Sequence, residues 1–178
     1  YQNTFVEKNI EGVGGIQLRY IEQKQIPSTD ALILLGGRTE FAEKYAELFF
    51  NFRHLNMAIY SYDHRGQGLS GRILSDYNKG YVECFDDYSE DLKIFVDKVV
   101  SKGNHRRVFV LCHSMGGAVT AQFQLKYPGI FDGLVFSAPM FGINTSPASP
   151  TLTEHLAGMM VMFGGGKMYI FRGRASSW

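Results

Sequence analysis

Short apolar runs alternate along this chain with segments of helical periodicity, and this alternation restricts the fold more than any other feature. The runs have the short, continuously apolar character of strands that are covered on both faces. Strands that alternate with helices in this way predict a parallel sheet with helices packed on both of its faces. The four runs are residues 31–35, 57–62, 108–111 and 134–137.

Three other stretches carry apolar residues at the spacing of a helix. The second of them begins with acidic residues, which suit the positive end of a helix dipole. The chain before residue 24 instead alternates loosely about a glycine-rich turn, which predicts two strands joined as a hairpin. The positions that define the helices are Phe41, Tyr45, Leu48, Phe49 and Phe52, then Leu92, Phe95, Val96, Val99 and Val100, and finally residues 115–126.

The composition excludes several classes of protein. Hydrophobic residues make up 45% of the 178, which is enough for a core and argues against wholesale disorder. A net charge of +1 without a basic stripe argues against a nucleic-acid partner. The five histidines and the two distant cysteines, Cys84 and Cys112, show no metal-ligand spacing, so we expect neither a metal nor another cofactor. No uncharged apolar run reaches the roughly 18 residues that a membrane span needs.

The strongest motif is the segment 108–118, Val-Phe-Val-Leu-Cys-His-Ser-Met-Gly-Gly-Ala. A buried strand leads into a sharp turn at Ser114 and then into a helix, which is the context of a nucleophile elbow. The positions two residues before and after such a serine must be small. Gly116 meets this requirement, and Cys112 replaces the usual glycine. The pattern favours a nucleophilic Ser114 over a serine that merely caps the helix.

Two glycine-rich loops follow the first two apolar runs. In the elbow architecture, the loop after the first run (residues 36–40) supplies a backbone N–H group to the oxyanion, so its side chains matter little. The second loop contains Gly66, Gly68 and Gly71 in the spacing G-x-G-x-x-G. We reject a dinucleotide site there, because these glycines do not open a helix and no strand-ending acid follows about 20 residues later.

At these motifs the chain resembles the monoglyceride-lipase branch of the α/β-hydrolase superfamily, and within it the bacterial lysophospholipases. The resemblance implies an α/β-hydrolase fold and a serine carboxylic-ester hydrolase that cleaves a monoacyl lipid, either a lysophospholipid or a monoacylglycerol. By the family pattern Ser114 is the nucleophile, and the backbone N–H groups of Arg38 and Met115 form the oxyanion hole. The resemblance covers residues 5–160 in unbroken order, and the matching segments are 37–48, 63–70, 85–92, 113–117 and 137–142.

The chain departs from the family pattern in its catalytic acid and base. The family order is Ser, then Asp, then His. After Ser114 the only candidates are Asp132, which precedes a strand, and His155, which lies in a predicted cap helix. His113 adjoins the serine, but neighbours in a tight elbow point apart. We therefore expect the triad Asp and His to lie outside this chain.

The composition changes near residue 143. From there to residue 178 Glu154 is the only acidic residue, and four of the seven methionines gather. Such a segment is typical of a core helix or of an adaptable apolar surface for a lipid. The resemblance predicts the amino-terminal part of an α/β-hydrolase core over residues 1–142, truncated after six strands, and the start of a cap or lid over residues 143–178. An amphipathic lid suits peripheral contact with a membrane surface.

Three interpretations of function stay open. The leading one is ester hydrolysis through an acyl-enzyme on Ser114. Acyl transfer to another lipid differs only in the acceptor, and a non-catalytic lipid-binding remnant would lack the acid and base. We expect a cytoplasmic protein, with peripheral contact to the inner membrane as a further option. We also expect residues 1–178 alone to be aggregated or molten and to lack esterase activity, because the strand at 134–137 needs a further neighbour.

Overall fold

The computed structural model describes residues 5–23, 30–142 and 149–168 of the chain. Six strands form one sheet: β1 (Val6–Glu11), β2 (Gln17–Gln23), β3 (Asp30–Leu35), β4 (Met57–Tyr62), β5 (Arg107–His113) and β6 (Gly133–Ser137). Their order across the sheet is β1-β2-β4-β3-β5-β6. The hairpin of β1 and β2 is antiparallel and β2 pairs antiparallel with β4, whereas β3 to β6 are mutually parallel. The predicted hairpin and parallel sheet are confirmed.

The described residues also form four α-helices: α1 (Ala46–Asn51), α2 (Asp86–Phe95), α3 (Met115–Lys126) and α4 (Pro150–Met162). The first predicted helix is shorter than its apolar spacing indicates, because 3₁₀ turns at Ala42–Tyr45 and Phe52–His54 flank α1. Helix α2 continues into a π-helical turn, Val96–Val100. The second stretch that was predicted as a helix therefore forms one continuous helical segment. Helix α3 has the predicted bounds.

The central strands bury side chains on both faces of the sheet. Ile33 of β3 and Tyr60 of β4 belong to a cluster with residues of α2 and α3. Leu34 and Ile59, one position away, pack with Phe49 of α1 in a second cluster on the opposite face. Because successive side chains of a strand point to opposite faces, these two clusters place helices on both sides of the sheet, as the alternating sequence predicts.

A buried ion pair fixes the loop after β4. Arg65 donates two hydrogen bonds to the Asp91 carboxylate of α2, at 2.6 and 2.7 Å, and one to Asp87 at 2.8 Å. Asp91 also accepts the Val13 N–H group at the turn between β1 and β2 (2.9 Å). Both members of the Arg65–Asp91 pair are buried. Removing either one would leave an uncompensated buried charge, which costs about 3–5 kcal/mol.

The carboxyl-terminal part of the described chain is the most exposed. Every described side chain of α4 is exposed or half-buried, including Leu156, Met160 and Met162. Among the described residues, no helix is both long and apolar enough to cross a membrane. The predicted boundary between core and cap adjoins residues 143–148, which lie outside the described residues, so this division of the chain stays a prediction.

The edge of the sheet at β6 is apolar and accessible. Val135 is 60% exposed and Phe136 is 38% exposed. An apolar edge strand presents unpaired backbone groups that favour pairing with another chain. We therefore expect residues 1–178, expressed alone, to self-associate and to show no ester turnover.

A single charge at this edge tests the expectation. Val135→Lys should shift the chain toward a monomer in size-exclusion chromatography, because a lysine on an edge strand opposes pairing. Leu125→Lys is the matched control, since Leu125 lies on α3 and is 86% exposed. A monodisperse unchanged chain that melts cooperatively and turns over an ester above background would contradict the prediction.

Candidate active site

Ser114 occupies a strained turn between β5 and α3. Its backbone angles are φ 49° and ψ −117°, a conformation that non-glycine residues rarely adopt. Two long-range hydrogen bonds hold it: the Ser114 N–H group donates to the Ser137 carbonyl (3.1 Å), and the Met140 N–H group donates to the Ser114 carbonyl (2.9 Å). The side chain is half-buried and therefore accessible. This backbone geometry is that of the elbow predicted from the sequence.

Close packing around the turn explains its small residues. A Cβ atom at Gly116 would lie 2.6 Å from the Gly36 carbonyl oxygen, so α3 can approach the end of β3 only with glycine at this position. Cys112, at the other small position, is buried in β5. Burial raises the pKa of the Cys112 thiol, so the side chain stays protonated at neutral pH.

The loop after β3 lies directly beside Ser114. A Cβ atom at Gly37 would lie 2.9 Å from the Ser114 Cβ atom. The next residue, Arg38, has an exposed side chain. Within the part of the chain that the structure describes, neither the Arg38 N–H group nor the Met115 N–H group has a hydrogen-bond acceptor. Both amides are therefore available to a ligand, as an oxyanion hole requires.

Two buried side chains fix this loop on either side of Arg38. The Gln67 amide donates to the Gly37 carbonyl (3.0 Å) and accepts the Thr39 N–H group (2.9 Å). The Glu40 carboxylate accepts the Gly37 N–H group (2.6 Å). Thr39 has a positive φ of 62°, so these bonds also hold a strained residue.

Neither Gln67 nor Glu40 is identified as a functional residue by the sequence patterns. Gln67 lies between two glycines of the rejected G-x-G-x-x-G loop. A glutamine in a glycine-rich loop offers both a donor and an acceptor, so it can hold a neighbouring backbone segment in place. This residue type is the signal by which Gln67 could have been found.

The Glu40 carboxylate carries a charge and accepts several of the hydrogen bonds that hold this loop. Burial opposes its ionisation, but hydrogen bonds from Lys44, the Tyr45 hydroxyl (2.6 Å) and the Gly37 N–H group outweigh burial and lower the pKa of Glu40 to about 2. His113 Nδ1 also lies 3.1 Å from the Glu40 carboxylate. This contact directs the His113 ring toward Glu40, on the side of the loop and α1.

The two candidates for the triad, Asp132 and His155, and the buried His64 form hydrogen bonds with groups other than Ser114. His64 is buried behind the loop, and its Nε2–H group donates to the Gly36 carbonyl (3.1 Å). Asp132 accepts the Val108 N–H group (2.8 Å) at the amino-terminal end of β6, and His155 donates to the Thr151 carbonyl within α4 (2.8 Å). Among the described residues no Asp or His forms a hydrogen bond with Ser114, and no group of three or more metal-ligating side chains is found.

Sequence comparison identifies the family. The family model described as "Serine aminopeptidase, S33" matches residues 27–164. The chain belongs to this serine aminopeptidase S33 family. The chain is 39% identical over 137 residues to lysophospholipase L2 of Escherichia coli, covering 77% of this chain and 40% of that protein. It is 30% identical over 128 residues to the monoglyceride lipase of Homo sapiens, covering 71% of this chain and 40% of that protein.

Structural comparison agrees on the fold. A thermostable carboxyl esterase from Bacillus coagulans, solved in complex with glycerol, superposes with a TM-score of 0.75 at 16% sequence identity and covers 94% of this chain. The chain covers 53% of that structure. The fold is therefore the α/β-hydrolase fold, and this chain spans about half the length of the proteins it matches.

We predict that Gln67 positions the loop after β3. We also predict that Arg38 contributes its backbone N–H group to the proposed oxyanion hole. In the full-length protein, Gln67→Ala should lower kcat on a neutral short-chain ester by roughly tenfold to a hundredfold with little change in KM, because loss of a whole oxyanion donor costs about 10²–10³-fold. Arg38→Ala keeps the N–H group and should leave turnover of that ester within about tenfold. A loss of 10²-fold or more with Arg38→Ala would contradict the backbone assignment.

We also predict a pH-dependent contribution of His64 to stability. Burial lowers the pKa of His64 to about 4, from an ordinary value of 6.5. The unfolded chain therefore binds a proton that the folded chain excludes, and stability should fall by about 3 kcal/mol in total as the pH falls from 6.5 to 4. His64→Gln should flatten this dependence in chemical denaturation, whereas His54→Gln should not. An unchanged slope with His64→Gln would assign the dependence to another group.

Proposed function

We propose that the full-length protein is a serine carboxylic-ester hydrolase that acts on monoacyl lipids. The observation that carries the proposal is the backbone of Ser114, which is held at a positive φ between a parallel strand and a helix amino terminus. A strained serine in this position places its hydroxyl above the sheet, where a substrate carbonyl can reach it. A structural serine has no need of this strain, because an ordinary helix cap uses extended backbone angles.

The geometry supports a two-step acyl transfer. Ser114 Oγ attacks the ester carbonyl carbon, and its proton passes to a general base. The oxyanion that develops on the carbonyl oxygen accepts hydrogen bonds from the Arg38 and Met115 N–H groups. The glycerol-bearing oxygen then leaves with a proton, and water hydrolyses the acyl-enzyme to release the fatty acid. In the family order the acid and the histidine base follow the serine, and we expect both outside this chain.

The substrate class is supported by the relatives and by the surface of α4. The named relatives are a lysophospholipase and a monoglyceride lipase, although the family carries the name of an aminopeptidase. Helix α4 exposes Leu156, Met159 and Met160 among other apolar side chains. A flexible apolar surface of this kind suits an acyl chain, and its exposure is the basis for proposing a lid that contacts a membrane surface.

Two tests separate hydrolysis from its alternatives. A fluorophosphonate probe should label the full-length protein and fail to label Ser114→Ala, because only an activated serine reacts. Ser114→Ala should also lower turnover of a monoacyl ester by on the order of 10⁶-fold, as with other triad serines. Unlabelled full-length protein would favour a lipid-binding protein without catalysis, and a loss below about tenfold would remove Ser114 as the nucleophile.

The competing chemistries are separated by their products. An acyl product on a second lipid, formed faster than free fatty acid, would favour the acyltransferase interpretation. Release of p-nitroaniline from an alanine p-nitroanilide faster than ester cleavage would favour an aminopeptidase instead.

A further inference from the structure

One carboxylate oxygen contacts both chain segments that form the proposed site. Glu40 Oε2 accepts the Gly37 N–H group at 2.6 Å and lies 3.1 Å from His113 Nδ1. Gly37 directly precedes Arg38 in the loop after β3, and His113 directly precedes Ser114 at the end of β5. The same oxygen atom therefore binds the residue before the proposed oxyanion donor and the residue before the proposed nucleophile.

The two segments lie in contact just beyond the paired part of the sheet. The parallel pairing of β3 and β5 extends as far as Leu35 and Cys112. Past this point a Cβ atom at Gly37 would lie 2.9 Å from the Ser114 Cβ atom and 3.2 Å from His113 Nδ1. Because both segments have left the paired strands here, contacts with side chains fix their separation.

The Glu40 carboxylate is itself held in place. Its side chain is 7% exposed, and the Tyr45 hydroxyl donates to the same oxygen at 2.6 Å. The Lys44 ammonium donates to the other oxygen. Burial opposes ionisation, but these bonds and the Gly37 N–H group lower the pKa of Glu40 to about 2, so the carboxylate is charged at neutral pH. Hydrogen bonds to a charged acceptor are roughly twice as strong as neutral ones, so this contact point is firm.

The charge of Glu40 also determines which nitrogen of His113 carries a proton. An ionised carboxylate can only accept hydrogen bonds. In the contact with Glu40, His113 Nδ1 must therefore carry the proton, which fixes the Nδ1–H tautomer of the neutral ring. The link between the two segments thus has a spectroscopic signature of its own.

We propose that Glu40 is a positioning residue that sets the separation between the Arg38 N–H group and Ser114. It acts through Gly37 and His113 and not on the substrate. A misplacement of about 1 Å can cost on the order of 10²-fold in rate, so a small change in this separation has a large effect. This inference rests on the proposed function and adds to it a residue that no sequence motif identifies.

A purely structural role of Glu40 leads to a different expectation. If the carboxylate only stabilised the fold, its removal would lower the amount of folded enzyme and leave each folded site fully active. The positioning role predicts that every folded site becomes slower. Rates are therefore expressed per serine titrated to completion by a fluorophosphonate, so that unfolded protein is not counted.

The main variant is Glu40→Gln in the full-length protein. If the amide oxygen takes the Oε2 position, the NH₂ group faces the Lys44 ammonium, and in the reverse orientation the NH₂ group faces the Gly37 N–H group. Neither orientation retains all the hydrogen bonds. We expect kcat/KM on a neutral short-chain ester to fall by roughly tenfold to a hundredfold, which is less than the loss of a whole oxyanion donor.

A transition-state analogue connects this loss to the oxyanion hole. The probe is 1,1,1-trifluorododecan-2-one, whose carbonyl oxygen becomes an oxyanion when Ser114 Oγ adds to the carbonyl carbon. Its inhibition constant should rise in Glu40→Gln by the same factor as kcat/KM falls, because both report stabilisation of the same charge. Asp97→Asn is the matched control, since the Asp97 carboxylate pairs with Lys93 at the surface. This control should leave both values within about twofold.

A double-mutant cycle tests the contact between Glu40 and His113. His113→Leu should lower kcat/KM in the unchanged protein by at least about threefold more than in a Glu40→Gln background, because both changes remove the same contact. His113→Asn keeps an N–H donor near the position of Nδ1 and should restore most of the rate. The exposed His54 provides the control, and His54→Leu should have no effect in either background.

The tautomer of His113 gives a readout that does not depend on turnover. Nitrogen-15 spectra of the histidine rings in the full-length protein should show the His113 signal, assigned by its loss in His113→Asn, with a proton on Nδ1. Glu40→Gln should weaken this preference, because an amide can donate as well as accept. A His113 ring without a proton on Nδ1 in the unchanged protein would overturn the proposal, even if Glu40→Gln fails to fold.

The kinetic outcomes that contradict the proposal are equally defined. They are an unchanged kcat/KM per titrated serine in Glu40→Gln, a loss of kcat/KM without a matching loss of ketone affinity, and additive effects in the cycle. Full-length protein that the fluorophosphonate does not label would refute the esterase. In that case the tautomer of His113 and its dependence on Glu40 still decide whether the carboxylate joins the two segments.

Discussion

The strained backbone of Ser114 is the constraint on which the site depends. A residue in such a conformation costs on the order of 1–3 kcal/mol and persists only where its surroundings determine it. Here the end of β6 holds the N–H group of the serine through Ser137, and the segment after β6 holds its carbonyl through Met140. Gly116 allows α3 to pack against the Gly36 carbonyl. The parallel order β3-β5-β6 thus places the turn at Ser114 beside the loop after β3.

The loop after β4 provides the polar part of this support. The buried Asp63 carboxylate accepts the Ala42 N–H group (2.7 Å) and the Leu69 N–H group (2.8 Å), which joins the start of the α1 segment to this loop. Arg65 binds the loop to α2, and Gln67 binds it to the backbone on both sides of Arg38. The loop after β4 therefore connects α2 and the turn of the hairpin to the backbone on both sides of Arg38, at the proposed oxyanion hole.

The sequence predicts those parts of the fold that depend on local pattern. The bounds of β4 and α3 follow from an uninterrupted apolar run and from the residues after the elbow. The shortening of α1 could not be predicted in this way, because the first turn is anchored by Asp63, 21 residues away along the chain. The roles of Gln67 and Glu40 depend on hydrogen bonds with backbone atoms of the folded chain. A periodic pattern of apolar residues cannot predict such bonds. Ser114 was predictable because strand, turn and helix are consecutive in its motif.

The hydrogen bonds of the elbow also set the order in which the site can form. The partners of Ser114, Ser137 and Met140, are synthesised after the serine and after the whole of α3. Domains generally fold as units, and non-local strand pairs form slowly because closing the chain between them costs entropy. A nascent chain that ends before β6 therefore lacks both of these hydrogen-bond partners of Ser114. The hydrogen bond from the Ser114 N–H group to Ser137 can form only when β6 pairs with β5.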